Sequence, residues 1–153
     1  MLLKRLVFLA GLLVQAMFVQ ASVAQANTFD VFGLFLTEER NSVIQIEPCA
    51  DSVCGTVVWL NPASLNEGDT PETATSEAGE KILGLTMLQG FTRAKTDWRE
   101  GTIYDPGKDK TYASRLKRLA NGSLEVKGCI SFFCQTQIWT RVENLSDPLA
   151  KPS

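Results

Sequence analysis

Two copies of one cysteine spacing constrain this chain more than any other feature. Cys49-Ala-Asp-Ser-Val-Cys54 and Cys129-Ile-Ser-Phe-Phe-Cys134 are both Cys-x4-Cys, and the likeness runs past the cysteines on either side. Ile44-Gln-Ile46-Glu-Pro-Cys49 parallels Leu124-Glu-Val126-Lys-Gly-Cys129. Cys54-Gly-Thr56-Val-Val58-Trp59 parallels Cys134-Gln-Thr136-Gln-Ile138-Trp139, at the same offset of 80 residues. Apolar residues alternating on each flank describe two β-hairpins clasped near their tips. With each cysteine facing its partner, Ile46 would lie opposite Val57 and Ile44 opposite Trp59. In the second hairpin Leu124 would face Trp139 and Val126 would face Gln137. Directly opposed residues lie about 4.5–5.5 Å apart between Cα atoms, within disulfide reach. Of three possible connectivities the spacing therefore favours Cys49–Cys54 and Cys129–Cys134. A four-thiolate zinc site is the competing reading, at the edge of the usual ligand spacing and in a chain without histidine.

Residues 1–26 carry Lys4 and Arg5, an apolar run from Leu6 on to Val19, and a close at Ala24-Gln25-Ala26, the three regions of a secretory signal peptide. Gln15 and Gln20 interrupt the run, so a membrane span is the weaker reading. Cleavage is expected after Ala26, with Ala24 the alternative, and no cysteine follows the run to be lipidated. The expectation is a soluble periplasmic or secreted protein, and an oxidising compartment agrees with the disulfides. The 15 basic residues, less Lys4 and Arg5, leave 13 against 17 acidic ones, a net charge of −4. That sign excludes long-range attraction for nucleic acid or anionic lipid.

The remaining chain reads as one β-domain over residues 27–142 with a loose tail at 143–153. Phe29–Leu36 is a strand, Thr37–Ser42 a turn, and Asn61-Pro62 ends the first cysteine hairpin because proline has no donor for the ladder. Residues 61–80 are polar, with Leu65 the only large apolar side chain, and read as a solvated loop or as a lid over a cavity mouth. Over 81–91 the apolar spacing suits a strand or a short helix. Trp98 to Tyr112 is a hairpin turning at Asp105-Pro106-Gly107, with Gly107 free to take φ > 0, and Asn121-Gly122 marks the next tight turn. About eight short strands joined by turns predict an all-β fold, a small antiparallel up-and-down β-barrel, with an open β-sandwich as the alternative.

Gly101-Thr-Ile103-Tyr104-Asp105-Pro106, then Lys110-Thr111-Tyr112, and finally Trp139-Thr140-Arg141 resemble a family of small secreted bacterial proteins known only as a domain of unknown function. The likeness takes in both cysteine pairs, Cys54-Gly55 and Leu83-Gly84-Leu85. It implies a lipocalin-like barrel and, with it, a ligand cavity; it carries over no catalytic residue. Two positions depart from the family pattern. Phe35 stands where a tryptophan is usual, and Asp109 interrupts the usual Gly-Lys-Thr-Tyr at the turn.

Inward aromatics fill a small barrel or line its pocket, which makes Trp59, Trp98, Trp139, Tyr104 and Tyr112 the candidate cavity residues. Asp105 beside Tyr104, Tyr112 and Lys110 is the one cluster with acid–base character, although a turn-capping Asp105 and a solvated Lys110 explain it as well. Arg141, after an inward Trp139, is expected to point outward or to pair with an acidic neighbour. No histidine base, nucleophile elbow or phosphate loop is present, no cofactor or metal is implied, and protein partners are left open. The function expected is a binding module for a small apolar or amphipathic ligand. The alternatives are an envelope structural or interaction protein, and a histidine-free enzyme using Asp105 with Tyr104 or Tyr112.

Overall fold

Burial alternates residue by residue from Tyr112 to Arg118. In Lys110–Arg118, Ser114, Leu116 and Arg118 are buried, whereas Ala113, Arg115 and Lys117 are exposed. A period of two with one apolar face demands a sheet packed on one side only. The computed structural model describes residues 30–150, so the leader at 1–26 and its cleavage site lie outside the described residues.

Nine strands follow in chain order: β1 Gly33–Leu36, β2 Ser42–Cys49, β3 Ser52–Leu60, β4 Thr86–Gln89, β5 Thr92–Arg93, β6 Trp98–Asp105, β7 Lys110–Arg118, β8 Leu124–Ile130 and β9 Phe133–Val142. Each strand of the ring pairs antiparallel with its chain neighbours, β4 meets β6 directly, and β1 meets β9. The sheet therefore closes as an eight-stranded up-and-down barrel, with β5 a two-residue rung on the side of β6. Closure leaves no long unpaired edge, which sets the sandwich alternative aside. One turn of 3-10 helix, Pro62–Ser64, is the only helix among the described residues, and it is too short to cross a membrane.

Both cysteine pairs are disulfides, Cys49–Cys54 and Cys129–Cys134, and oxidised pairs are typical of extracytoplasmic proteins. The four sulfurs are thus not free to hold zinc. The two hairpins close in different registers. In β8–β9 the two-residue turn Ser131-Phe132 sets Cys129 opposite Cys134, Leu124 opposite Trp139 and Val126 opposite Gln137, as the spacing predicts. In β2–β3 the turn comes one residue earlier, at Ala50-Asp51 with Ala50 at φ 52°. Cys49 then faces Ser52, Ile46 faces Gly55 and Ile44 faces Val57, so the expected pairings are displaced by two residues and the disulfide spans the ladder diagonally. A slip of two preserves each side chain's face, and Ile44, Ile46 and Val57 still enter the core. Trp59 does not, because a bulge between Val57 and Trp59 reverses the alternation. Leu60 turns inward instead, and Trp59 stays half-buried outside the core cluster.

Five strand positions separate β2–β3 from β8–β9 around an alternating ring, so the two clasped hairpins point to opposite ends. The turns after β1, β3, β6 and β8 form one end, here called the open end. At the closed end Phe91 and Phe35 are fully buried, Trp98 packs edge-on against Phe32 at 6.3 Å, and the guanidinium groups of Arg118 and Arg141 lie 5.4 and 6.0 Å from the Phe35 ring. Arg141 therefore faces inward, against the outward expectation, because it shares parity with Trp139; its Nη1 donates to Phe32 O at 3.1 Å. Burial, reinforced by the charge of Arg141, holds Arg118 below the ordinary arginine value.

Segments between the strands also differ from expectation. Over 81–91 the chain is neither one strand nor a helix: it turns through Gly84 at φ 91° and becomes extended only at β4. The polar 61–80 segment is pinned by buried Ala74 and Ser76, and by Glu77 N donating to Pro106 O at 2.9 Å. At the β6–β7 turn the positive φ falls on Asp109, at 48°, and not on Gly107, so the residue that departs from the family pattern occupies the left-handed position itself. After β9 the segment expected to be loose is tethered within its described part, with Pro148 buried and Arg40 Nη2 donating to Leu149 O at 2.7 Å.

Candidate functional site

Large side chains fill the closed half of the barrel, and the open half holds a cavity of about 960 Å³. Its position follows from side-chain size along the inward rows. Toward the open end, β8 offers Gly128 after Val126 before Ile130 at its tip, and β9 offers the amides Gln137 and Gln135 after Trp139 before Phe133. Bulk therefore stops at the level of Trp139, which is 1% exposed and forms the floor with Val126 and Leu60. Ile103, Met87 and Tyr112 make the wall, while Leu65 and Ile82 from the β3–β4 connection reach the rim.

A polar chain crosses this apolar lining from floor to rim. Trp139 Nε1 donates to Gln137 Oε1 at 2.7 Å, and Gln137 Nε2 donates to Glu39 Oε1 at 3.0 Å. Because each end of the Gln137 amide meets a group of one polarity only, its orientation is set. The neighbouring Glu38 accepts the Ile138 backbone N–H at 2.6 Å, which fastens the β1–β2 turn against β9. The arrangement suits an amphiphile, with apolar depth below and hydrogen-bonding groups above.

The carboxylate cluster has a turn-building role in this geometry. Asp105 Oδ1 accepts from Gly107 N at 3.0 Å, and its Oδ2 pairs with Lys108 Nζ at 3.1 Å. The cation beside it is therefore Lys108 and not Lys110, which is the backbone partner of Asp105 across the hairpin. That hydrogen bond, with the charge of Asp105, raises the Lys108 amine above its usual value. Tyr104 donates its hydroxyl to Asp109 Oδ1 at 3.0 Å. Among the described residues no group of three His, Cys, Asp or Glu side chains converges to hold a metal ion.

Of the aromatic candidates, Trp139, Tyr104 and Tyr112 line the cavity. Trp59 and Trp98 do not: the bulge carries the first out of the interior row, and the second lies at the closed end on Phe32. Gln137, Glu39, Gly128 and Ile103 were not anticipated, although counting back by twos from Trp139 along β9 reaches Gln137, Gln135 and Phe133.

The fold is similar to that of protein HP1028 from the human pathogen Helicobacter pylori, described as belonging to the lipocalin family. The TM-score is 0.60 at 15% identity, over 75% of this chain and 84% of that one. A comparison with curated proteins yields no match. The family model for uncharacterized proteins conserved in bacteria, DUF2147, matches residues 33–141, from the first strand to the end of the last. The chain, a lipocalin-like barrel in fold, belongs to this family of uncharacterized bacterial proteins.

Proposed function

We propose that the protein is a periplasmic or secreted binding module that takes up one small amphipathic molecule, with signal-peptide cleavage near Ala26 and a mature domain over 27–142. The observation that supports this reading is the cavity of about 960 Å³ standing above Trp139. Ligand pockets commonly measure about 300–1,000 Å³ and combine apolar walls with a few placed polar groups. In this reading an alkyl chain lies along Ile103, Val126 and Leu60, and the polar head meets Glu39, Gln135 and Gln137 at the rim. The β3–β4 connection acts as a rim over the bound chain.

An alkyl probe with an environment-sensitive dansyl group tests the proposal. One probe per chain is expected, with a blue-shifted emission and a dissociation constant no tighter than about 1 μM, the limit set when roughly ten methylenes leave water at about 0.8 kcal/mol each before the cost of ordering the ligand. Unlabelled twelve-carbon amphiphiles should displace it. No saturable binding at probe concentrations of about 100 μM would contradict the proposal.

A further inference from the structure

The tip of the β8–β9 hairpin exposes what the rest of the molecule hides. Phe132 is 96% exposed, Phe133 83% and Ile130 60%, three large apolar side chains within four residues. They stand at the cavity mouth, where Ile130 and Phe133 also belong to the lining. From Gly128 to Thr140 the chain carries no formal charge. The Cys129–Cys134 disulfide sits directly below, joining a facing pair across the ladder. A contiguous apolar patch of this kind marks an interaction surface.

We propose that this tip is a membrane-contact site that dips into the surface of a zwitterionic lipid bilayer. The inference rests on the reading of the barrel as a binding module, and it names the source of the amphiphile. Two arguments select a bilayer over a protein. Stable protein partners each bury about 800 Å² and need a complementary pocket, whereas three side chains on one narrow turn bury roughly 500 Å². A bilayer accepts such a wedge at shallow depth with no complementary shape, and a clasped turn loses little freedom on insertion. Charge then selects the kind of bilayer. The other rim turns carry Glu38, Glu39, Asp105 and Asp109, and the β3–β4 connection adds Glu67, Asp69 and Glu72. These carboxylates disfavour an anionic surface, and Arg40, Lys81, Lys108 and Lys110 on the same segments offset them only in part. Contact is thus apolar, and a chain leaving the bilayer at the tip meets the cavity beneath it.

Flotation of the intact protein with phosphatidylcholine vesicles tests the assignment. The wild-type protein should float, raising salt from about 0.1 to about 0.5 M should change the bound fraction by less than about twofold, and Phe132→Ser should lower it about tenfold or more. Phe132 lies outside the cavity lining, so this variant should keep its melting temperature and its affinity for the soluble dansyl probe. In Phe132→Trp, brominated phosphatidylcholine should quench the new indole. Wild-type protein that stays with the unbound fraction, or Phe132→Ser that floats unchanged, overturns the proposal. A wild-type dimer that Phe132→Ser converts to monomer also overturns it, by assigning the tip to a second copy. Flotation without probe uptake refutes the cavity reading and leaves the membrane contact standing; probe uptake without flotation refutes the contact alone.

Discussion

Gly101→Ala should destabilise the protein by about 3 kcal/mol, at the upper end of what overpacking costs, and lower its melting temperature by roughly 10 °C. The first glycine of the Gly-Thr-Ile-Tyr-Asp-Pro stretch lies flat beneath Phe91, and a Cβ added there would fall inside the ring's own contact distance. Phe91 is fully buried and has nowhere to retreat. Strand β6 cannot shift away either, because the bulge at Arg99-Glu100, with Glu100 at φ 61°, fixes where regular pairing resumes, at Gly101 opposite Ser114. Glycine is needed here for the space above its backbone, since its φ is not in the left-handed region. The test is a double-mutant cycle by urea unfolding. Phe91→Leu costs stability alone, yet it should recover about 2 kcal/mol of the Gly101→Ala loss, because the shorter side chain leaves room for the methyl. Additive effects would show that the ring does not rest on this glycine.

Gly128→Trp should have the opposite character, with a small change in stability and a loss of dansyl-probe affinity of at least about tenfold. A Cβ at this position would meet Ile103 Cγ2 at 3.4 Å and Tyr112 Cβ at 3.9 Å, ordinary contacts with two side chains of the cavity wall. Beyond them lies the cavity and not packed core, so an indole fills space that the ligand would otherwise occupy. Two inward glycines on either side of Ser114 in β7 thus differ by what stands over them, an aromatic ring or an open volume. Unchanged probe affinity in a folded Gly128→Trp protein would place the probe elsewhere.

The same comparison shows what was readable from the residues. Patterning and turn chemistry sufficed for the all-β barrel, for the Trp98–Tyr112 hairpin and for the second cysteine hairpin, whose register follows once the cysteines are set opposite one another. The register of the first hairpin is not legible because Cys-x4-Cys does not say where the two-residue turn falls, and Ala50 gives no warning that it takes φ 52°. Trp59 left the interior through a bulge at Val58, a local insertion without a composition signature. Arg141 went the other way, because charge suggested the surface while parity with Trp139 and the Phe35 ring held it inside. Polarity likewise hid the site. Gln137 comes from the last strand and Glu39 from the turn after the first, and only closure between β1 and β9 brings them together.

Three tryptophans give three indole N–H resonances, and they occupy three different places. Trp139 floors the cavity, Trp59 lies outside the core cluster, and Trp98 packs on Phe32 at the closed end. Titration of isotope-labelled protein with a twelve-carbon amphiphile, followed by proton–nitrogen correlation spectra, therefore reads the location of binding in one experiment. The account predicts that the Trp139 resonance shifts and saturates at one equivalent while the other two stay in place. A shift confined to Trp59 or Trp98, or three resonances that do not move, would contradict it.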